Sequence, residues 1–373
     1  MSEKTKVGVI FGGRSGEHEV SLKSAKSVME ALDKNKFEII PIGIKKDGRW
    51  ICGDNPLEEL SNQVGFRDSN SPILESNYEV TLFPRPKKGL WRVDLSEKIA
   101  DLDVIFPVLH GTYGEDGTLQ GLLELADIPY VGSGVIGSAL GMDKVLMKKI
   151  FLYEGMKVSN FIGINRRKWE KNKSKYLKLI RDELTLPVFI KPANLGSSVG
   201  ISKVNFEEEI VEAAEIAFKY DSKIVVEENV SGKEVEVSVL GNESPKTSIC
   251  GEIVPSKEFY DYEAKYLDDK SELIIPADIS SELSDITREI AAKAFVALDA
   301  KGLARIDFFV NPDTDEVYIN EINTMPGFTE ISMYPKLWEN TGISYQDLLT
   351  QVVELAFSVY EDKRRNKTDF EQA

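Results

Sequence analysis

The sequence predicts an α/β fold that begins with a doubly wound parallel sheet. Apolar strands at Lys6–Phe11 and Phe37–Ile44 flank a helix at Ser21–Leu32, and this order is typical of parallel sheets covered by helices. A third apolar strand, Asp103–Leu109, extends the same unit. Residues 53–100 are polar and interrupted by proline and glycine, so we interpret them as an insertion that decorates the first domain.

Length and composition indicate the class of protein. The chain of 373 residues is 42% hydrophobic and 29% charged, which suits a globular protein of two or three domains. A net charge of −16 argues against nucleic acid or an anionic membrane as the main partner. The two cysteines are far apart in the sequence, which fits a protein of a reduced compartment. No signal peptide and no run of about 18 apolar residues is visible, so we expect a cytoplasmic protein.

The most informative stretch, Gly302–Gly327, predicts a hairpin of the strands Leu303–Val310 and Glu316–Asn323. Because side chains alternate along a strand, four polar residues can share one face: Arg305, Asp307, Glu321 and Asn323. Two carboxylates and an amide oxygen suit Mg²⁺. The alternative is a solvated polar face, but both strands are otherwise apolar, and buried carboxylates are costly unless they are paired or bind a metal.

A second hairpin is predicted at Pro187–Lys203. Its first strand ends at Lys191, and the small residues of the loop Ala193–Ser198 leave backbone N–H groups exposed. Backbone amides beside a lysine make a good phosphate site. A plain flexible hairpin is the alternative.

Three further polar positions keep two interpretations each. Lys144 lies in a predicted helix and is either a site residue or a solvated cation. We interpret Lys148 and Lys149 as solvated cations. Glu17 follows the first strand, where open α/β sheets bind ligands, but an acidic residue there also favours the helix dipole. His110, in a glycine-rich loop, is a base or metal ligand, or else a structural or substrate-positioning imidazole.

Two features indicate a ligand-binding cleft with a lid. Glu227 and Glu234 flank a change of sequence pattern that suggests a domain hinge, and small ligands usually bind in such clefts. The segment Pro255–Pro276 has three tyrosines and no clear periodicity, which is typical of a lid loop. Lys265 and Tyr266 lie in its middle.

Together these features suit ATP-driven phosphoryl transfer to an acid, followed by capture of the activated acyl group. Magnesium between the β- and γ-phosphates would offset their charge. Arg305 and the Gly327 amide would stabilise a tetrahedral oxyanion, and a closed lid would keep water from the acyl phosphate.

A series of motifs in chain order carries a resemblance to a known family: FGGRSGEHEVSL, HGTYGEDGTLQG, GSGVIGSALGMDK, KPANLGSSVG, FYDYEAKY, ARIDFF and NEINTMPGFTEISMYP. The chain resembles the D-alanine–D-alanine ligase family of the ATP-grasp superfamily from about Lys6 to Ala356. The resemblance implies the ATP-grasp fold with three α/β domains. We place a substrate-binding domain at 1–132, a central subdomain with the phosphate hairpin at 133–226, and a C-terminal subdomain with the metal site and lid 255–276 at 227–373.

The resemblance also implies the site residues. The ATP ligands would be Lys144, Lys191, Ser198, Glu227, Glu234 and Lys265. Glu17 would bind the ammonium of the first D-alanine and would be held in a hydrogen-bonded set with Ser197 and Tyr266. His110 would lie near the same substrate, and Arg305 and Gly327 would cradle the oxyanion. The carboxylate of the second substrate would bind Ser332 and the Met333 amide. Two Mg²⁺ ions, or Mn²⁺ in their place, would be held by Asp307, Glu321 and Asn323. Glu228 departs from the family pattern, in which a lysine is common near the adenine.

The implied activity joins two D-alanine molecules through an acyl phosphate, with release of ADP and phosphate, for peptidoglycan precursor synthesis by a homodimer. Tyr266 favours an amide over an ester with D-lactate, so Tyr266→Phe should raise the use of D-lactate. The alternatives are a ligase that uses D-lactate or D-serine, and a non-catalytic nucleotide-binding regulator. The metal ligands and the lid lysine are all present, which argues against the regulator.

Overall fold

The structure, a computed structural model, describes residues 3–62, 76–86, 89–197, 199–254 and 272–367. Within these ranges the strands form three sheets. The strands are β1 Thr5–Gly12, β2 Phe37–Ile44, β3 Trp50–Gly53, β4 Asn77–Thr81, β5 Leu90–Arg92, β6 Glu97–Ala100, β7 Val104–Val108, β8 Phe161–Asn165, β9 Val188–Pro192, β10 Ser202–Val204, β11 Lys223–Glu228, β12 Lys233–Gly241, β13 Lys246–Val254, β14 Glu272–Ile274, β15 Gly302–Asn311 and β16 Glu316–Asn323.

Helices connect and cover these sheets. They are α1 His18–Ala31, α2 Pro56–Asn62, α3 Thr118–Ala126, α4 Val135–Met142, α5 Lys144–Tyr153, α6 Arg166–Lys171, α7 Lys173–Glu183, α8 Ile210–Ala217, α9 Ser281–Ala297, α10 Met333–Asn340 and α11 Tyr345–Lys363, with a 3₁₀ turn at Glu207–Glu209. In the part of the chain that is described, none of these helices has the length and apolar character needed to cross a membrane.

The first sheet has the order β6-β5-β4-β3-β2-β1-β7. Strands β2, β1 and β7 pair in parallel, and β3 to β6 continue the sheet in antiparallel fashion. The predicted strand–helix–strand unit is therefore present. The segment 53–100 does more than decorate the domain, because its described parts supply three strands and helix α2.

The second and third sheets carry the hairpins. The second has the order β10-β9-β11-β8, so the predicted hairpin at Pro187–Lys203 pairs β9 with β10. The third has the order β14-β13-β12-β15-β16. Helix α9 packs behind this third sheet through Leu283, Ala291 and Ala294, whose spacing places them on one helix face.

One large core joins the N-terminal and C-terminal parts of the chain. It contains the apolar residues of β1 and β7 on one side, and Leu303 of β15, Phe328 and the buried face of α11 on the other. The ring of Phe328 lies 5.7 Å from that of Phe106 and 5.3 Å from that of Tyr334. The chain that follows the β15–β16 hairpin is therefore anchored against the first sheet.

Two local predictions need correction. Lys144 is the first residue of α5, because Asp143 ends α4 and caps α5 by accepting hydrogen bonds from the Val145 and Leu146 amides. The predicted lid 255–276 ends too late, since Glu272–Ile274 forms strand β14 against β13. Residues 255–271 lie outside the described part of the chain. The two subdomain boundaries proposed from the sequence stay predictions, and β11 runs on to Glu228.

Candidate active site

The polar face of the β15–β16 hairpin forms as the sequence predicts. Arg305 lies opposite Asn323 and Asp307 lies opposite Glu321, with a shift of register directly after Asp307. Residues directly opposite each other in an antiparallel pair point to the same face. Two Arg305 nitrogens, Nε and Nη2, donate to Asp307 at 2.7 Å, and Asn323 Nδ2 donates to Asp307 Oδ2 at 3.0 Å.

Glu236 of β12 is a third acidic residue at this face. Its Oε2 lies 3.0 Å from Arg305 Nε. Burial opposes the charge of Arg305, but Asp307 and Glu236 hold the pKa of its guanidinium well above the usual range. The guanidinium is thus a permanent positive charge held in a bidentate geometry, as a stabiliser of a developing oxyanion needs to be.

Lys144 connects this face to the loop between β9 and β10, which we call the phosphate loop after the binding that the sequence predicts for it. Its Nζ lies 3.1 Å from Glu321 Oε2 and donates to the carbonyl of Leu195 at 3.0 Å. Its backbone amide donates to the carbonyl of Ala193. The loop is fixed from the other side, because Asn194 donates to Asp221 through both its amide and its side chain at 2.8 Å.

The hairpin face fits the donor set of a magnesium site. Among the described residues no group of three or more His, Cys, Asp or Glu side chains is gathered for a metal, but Mg²⁺ typically uses one or two carboxylates with phosphates and water. Asp307 and Glu321 supply two carboxylates on neighbouring strands, and Asn323 supplies an amide. Each carboxylate already has a cation beside it, Arg305 or Lys144.

Glu227 lies between two lysines beneath the phosphate loop. Lys191 of β9 pairs with its Oε1, and Lys148 of α5 lies 3.0 Å from its Oε2. Ser159 Oγ also donates to Oε2 at 3.3 Å. Burial opposes ionisation of Glu227, but the two lysines lower the pKa of its carboxyl to about 2. Burial opposes the charge of Lys191, but Glu227, Glu321 and Glu234 together raise the pKa of its ammonium.

Glu17 and Ser197 meet although 180 residues separate them. Ser197 Oγ donates to Glu17 Oε1, and Glu17 is buried between the first sheet and the phosphate loop. Glycines make room for the carboxylate: a Cβ at Gly111 would lie 2.6 Å from Glu17 Oε2, and one at Gly196 would lie 3.0 Å away. The two glycines therefore let the backbone approach the Glu17 carboxylate closely, at the position for which the sequence predicts an ammonium ligand.

His110 and Glu115 lie behind Glu17, and both form hydrogen bonds with other groups of the protein. His110 Nδ1 lies 3.0 Å from the Met325 carbonyl and Nε2 lies 3.2 Å from Ser24 Oγ. Burial lowers the pKa of His110, although Glu17 opposes this. Glu115 accepts hydrogen bonds from the Gly111 and Met325 amides at 2.6 and 3.2 Å. Burial, assisted by the charge of Glu17, raises the pKa of Glu115 to about 8.

Gly327 and Ser332 are neighbours at the start of α10. A Cβ at Gly327 would lie 3.0 Å from Ser332 Oγ, so a side chain there would crowd this hydroxyl. Ser332 Oγ lies 2.7 Å from Thr329 Oγ1 and accepts from the Thr329 amide at 3.1 Å. Met333 is the first residue of α10, and the first amides of a helix have no intrahelical partner and attract anions.

Comparison with known proteins identifies the family. Family models described as "D-ala D-ala ligase N-terminus" and "D-ala D-ala ligase C-terminus" match residues 6–133 and 150–354. A D-alanine–D-alanine ligase of Natranaerobius thermophilus is 55% identical over 372 residues and covers 100% of both chains. One of Bacillus cytotoxicus is 48% identical over 98% of this chain and 99% of that relative.

The chain belongs to the D-alanine–D-alanine ligase family.

Solved structures agree with this assignment. The D-alanine–D-alanine ligase of Coxiella burnetii has a TM-score of 0.83 at 36% identity, over 98% of this chain and 97% of that one. The VanG D-Ala:D-Ser ligase of Enterococcus faecalis also has a TM-score of 0.83, at 39% identity, over 95% of this chain and 100% of that one. The ATP-grasp fold, the family and the ligase function predicted from the sequence are confirmed.

The structure brings together most of the site residues that the sequence suggested for this ligase family member. Three of them, Ser198, Lys265 and Tyr266, lie outside the described residues. Three further charged residues of the site were missed, namely Lys148, Glu115 and Glu236.

Lys148 was interpreted wrongly as a solvated cation, since it is 2% exposed. A sequence signal existed: Lys148 stands three residues after Val145 and three before Phe151, and both of these are buried on α5. A lysine in the apolar stripe of a helix indicates a buried partner. Glu115 and Glu236 had no such signal, because an acidic residue in a loop or on a strand is usually solvated.

Proposed function

We propose that this ligase family member joins two D-alanine molecules into D-alanyl-D-alanine at the expense of ATP. The observation that supports the proposal best is the meeting of Glu17 with Ser197 at the edge of the phosphate loop. It sets a buried carboxylate, suited to an amino-acid ammonium, beside the loop suited to a nucleotide phosphate. Such an arrangement holds an acid and its phosphoryl donor in one place.

Charge complementarity supports the nucleotide side of the proposal. Lys144 and Lys191, with the amides of the phosphate loop, would hold the phosphates, while Glu227 and Glu234 would face the adenosine. Asp307, Glu321 and Asn323 would hold Mg²⁺, which offsets phosphate charge when it is bound. We propose two such ions, with Mn²⁺ as a substitute.

The first step forms an acyl phosphate. With its ammonium at Glu17, the first D-alanine directs a carboxylate oxygen to the γ-phosphorus of ATP; a P–O bond forms there and the bond to ADP breaks. Ser197, Lys265 and Tyr266 are the residues that we propose to order this substrate and to shield the product from water.

The second step forms the amide. The second D-alanine would bind through its carboxylate to Ser332 and the Met333 amide. Its neutral amine attacks the acyl carbon, and the proton that the nitrogen then loses is taken up by the departing phosphate. Arg305 and the Gly327 amide would stabilise the tetrahedral oxyanion, and the C–O bond to phosphate then breaks. The bidentate contact of Arg305 with Asp307 holds the guanidinium in position before substrate arrives.

Release of ADP with ATP and Mg²⁺ tests the activity. The reaction is run with D-alanine, with L-alanine, and with D-alanine plus D-lactate or D-serine, and the product is identified by mass. We expect release that depends on D-alanine and a dipeptide product. Silence with D-alanine would contradict the proposed substrate. If D-alanyl-D-serine is the preferred product, the second candidate function, a D-alanine–D-serine ligase, is favoured. The likeness to a D-Ala:D-Ser ligase is the observation that points to this candidate.

We further propose a cytoplasmic homodimer that supplies peptidoglycan precursors. Light scattering on the purified protein tests the assembly, and a mass near 41.8 kDa would contradict the dimer.

A further inference from the structure

A buried lysine behind the nucleotide site has no part in the mechanism above. Lys148 is 2% exposed and is one of the largest fully buried side chains of the described residues. Its Nζ lies 3.0 Å from Glu227 Oε2 and donates to Ser159 Oγ at 3.3 Å. A buried charge is costly unless it is paired, so this lysine needs a reason to be where it is.

Helix α5 presents Lys148 to the face of the second sheet that carries the site residues. Lys191 pairs with Val225 and Glu227 pairs with Phe189, so Lys191 and Glu227 are diagonal neighbours on one face. Val145 of α5 packs on Val225 of that face, and Lys148 follows one turn later. The helix thus covers the sheet with an apolar residue first and a cation second.

The two lysines contact different oxygens of the Glu227 carboxylate. Lys191 takes Oε1 and keeps 13% of its side chain exposed, while Lys148 takes Oε2 from the protein interior. The charges of Glu321 and Glu234 also raise the pKa of Lys191. A lysine that can reach a phosphate can leave Glu227, whereas Lys148 is 2% exposed. Among the described residues, departure of Lys191 without Lys148 would leave a buried carboxylate with the Ser159 hydroxyl as its remaining partner.

We propose that Lys148 is a positioning residue of the nucleotide site, which holds the Glu227 carboxylate ionised and in place while Lys191 turns to the nucleotide. The proposal rests on the nucleotide site of the proposed function and adds to it a residue that touches no substrate. It explains why a cation is built into the apolar stripe of α5. It also assigns the two Glu227 oxygens different tasks, one structural and one directed at the ligand.

The test compares Lys148→Met and Lys148→Arg with the control Lys149→Met, in which the neighbouring exposed lysine is changed. The KM values for ATP and D-alanine are measured by ADP release, and the Kd for ADP by calorimetry. In Lys148→Met we expect a rise of about tenfold in the KM for ATP and the Kd for ADP, the equivalent of about 1.4 kcal/mol. The KM for D-alanine should change less than about twofold. Lys148→Arg should recover most of the loss, and Lys149→Met should behave like the unaltered protein.

A pH series separates positioning from a general loss of structure. With one cation gone, the Glu227 carboxyl should gain a proton more readily, so the KM for ATP of Lys148→Met should rise as the pH falls from 8 towards 6. The unaltered protein should show a flat profile in that range. A folded Lys148→Met protein with an unchanged KM for ATP, or with equal rises for ATP and D-alanine, would overturn the proposal.

If Lys148→Met fails to fold, the pair of proteins Glu227→Gln and Lys148→Met/Glu227→Gln carries the test. A residue that acts only through Glu227 should cause no further loss of ADP affinity once Glu227 is neutral, so equal Kd values support the proposal and an additional tenfold loss overturns it. ADP binding without turnover of D-alanine would contradict only the proposed substrate. Absence of ADP binding by the unaltered protein would overturn both proposals.

Discussion

The two halves of the candidate site are built in different ways. The hairpin half, with Arg305 and Asp307 at its centre, is made by adjacent strands, and its contacts span few residues of sequence. The loop half, with Glu17 and Ser197, joins positions 180 residues apart. Local pairing gives the hairpin a rigid arrangement of charge, whereas the loop half depends on how two sheets meet. Changes in the hairpin should therefore impair the chemistry, and changes in the loop half should mainly weaken substrate binding.

The largest effect on activity is expected from Asp307→Asn. The substitution keeps the shape of the side chain but removes a carboxylate that Arg305 and the proposed metal share. We expect kcat to fall about a hundredfold or more, because a metal ion contributes several kcal/mol to charge stabilisation. The Mg²⁺ concentration at half-maximal rate should also rise. Asp313→Asn, in the exposed turn of the same hairpin, is the matched control, and an equal loss there would refute the role given to Asp307.

A smaller and different effect is expected from Ser197→Ala. The hydroxyl donates to the Glu17 carboxylate, and a hydrogen bond to a charged group contributes about 1.5–3 kcal/mol. The KM for the first D-alanine should rise about ten- to a hundredfold, with the KM for ATP within about twofold. Steady-state kinetics decide this, with the exposed Ser222→Ala as control. A fall in kcat at an unchanged KM would show that the loop half does not act mainly through substrate binding.

The loop half should also give the stability of the protein a pH dependence. Glu115 has a pKa raised from 4.5 to about 8, so the folded state binds this proton more tightly than the unfolded state does. Its contribution is fully present below about pH 4.5 and is lost as the pH rises through about 8. Glu115→Gln should therefore show a smaller decrease in Tm than the unaltered protein between pH 5 and pH 8.

His110 works in the opposite direction, because burial lowers its pKa. For this reason the difference between the two Tm profiles, and not either profile alone, isolates the Glu115 contribution. Parallel profiles across the whole range would exclude a protonated Glu115 at neutral pH.

The smallest effect on activity is expected from Lys45→Met, outside both halves. Lys45 and Glu59 form a buried pair at 3.1 Å, and Asn77 donates to Glu59 at 2.9 Å, which ties β2 to the segment 53–100. Loss of one buried partner should lower the free energy of unfolding by about 3–5 kcal/mol, measured by urea titration. Activity at 25 °C should stay within about twofold. Lys46→Met, which breaks an exposed pair with Glu19, should leave the stability nearly unchanged; a KM change in Lys45→Met alone would link this segment to the site.

Local patterns account for what could be predicted. Alternation along β15 and β16 places Arg305 and Asp307 on one face in any antiparallel hairpin, so their meeting follows from short-range geometry. The same holds for the β9–β10 hairpin and for α9, whose apolar spacing shows the face that packs. The segment 53–100 was underestimated because its strands are short and polar, and it pairs at a sheet edge where alternation is weak.

By itself the sequence determined the fold class, the two hairpins and the order of the motifs, because each depends on residues that are close in the chain. Only the tertiary structure decided that Glu115 lies behind Glu17 and Ser197, and that Lys148 is buried against Glu227. These contacts depend on how separate sheets and helices pack. The pKa of a buried carboxyl or amine follows from desolvation and from charges brought close by that packing, which no local pattern in the sequence contains.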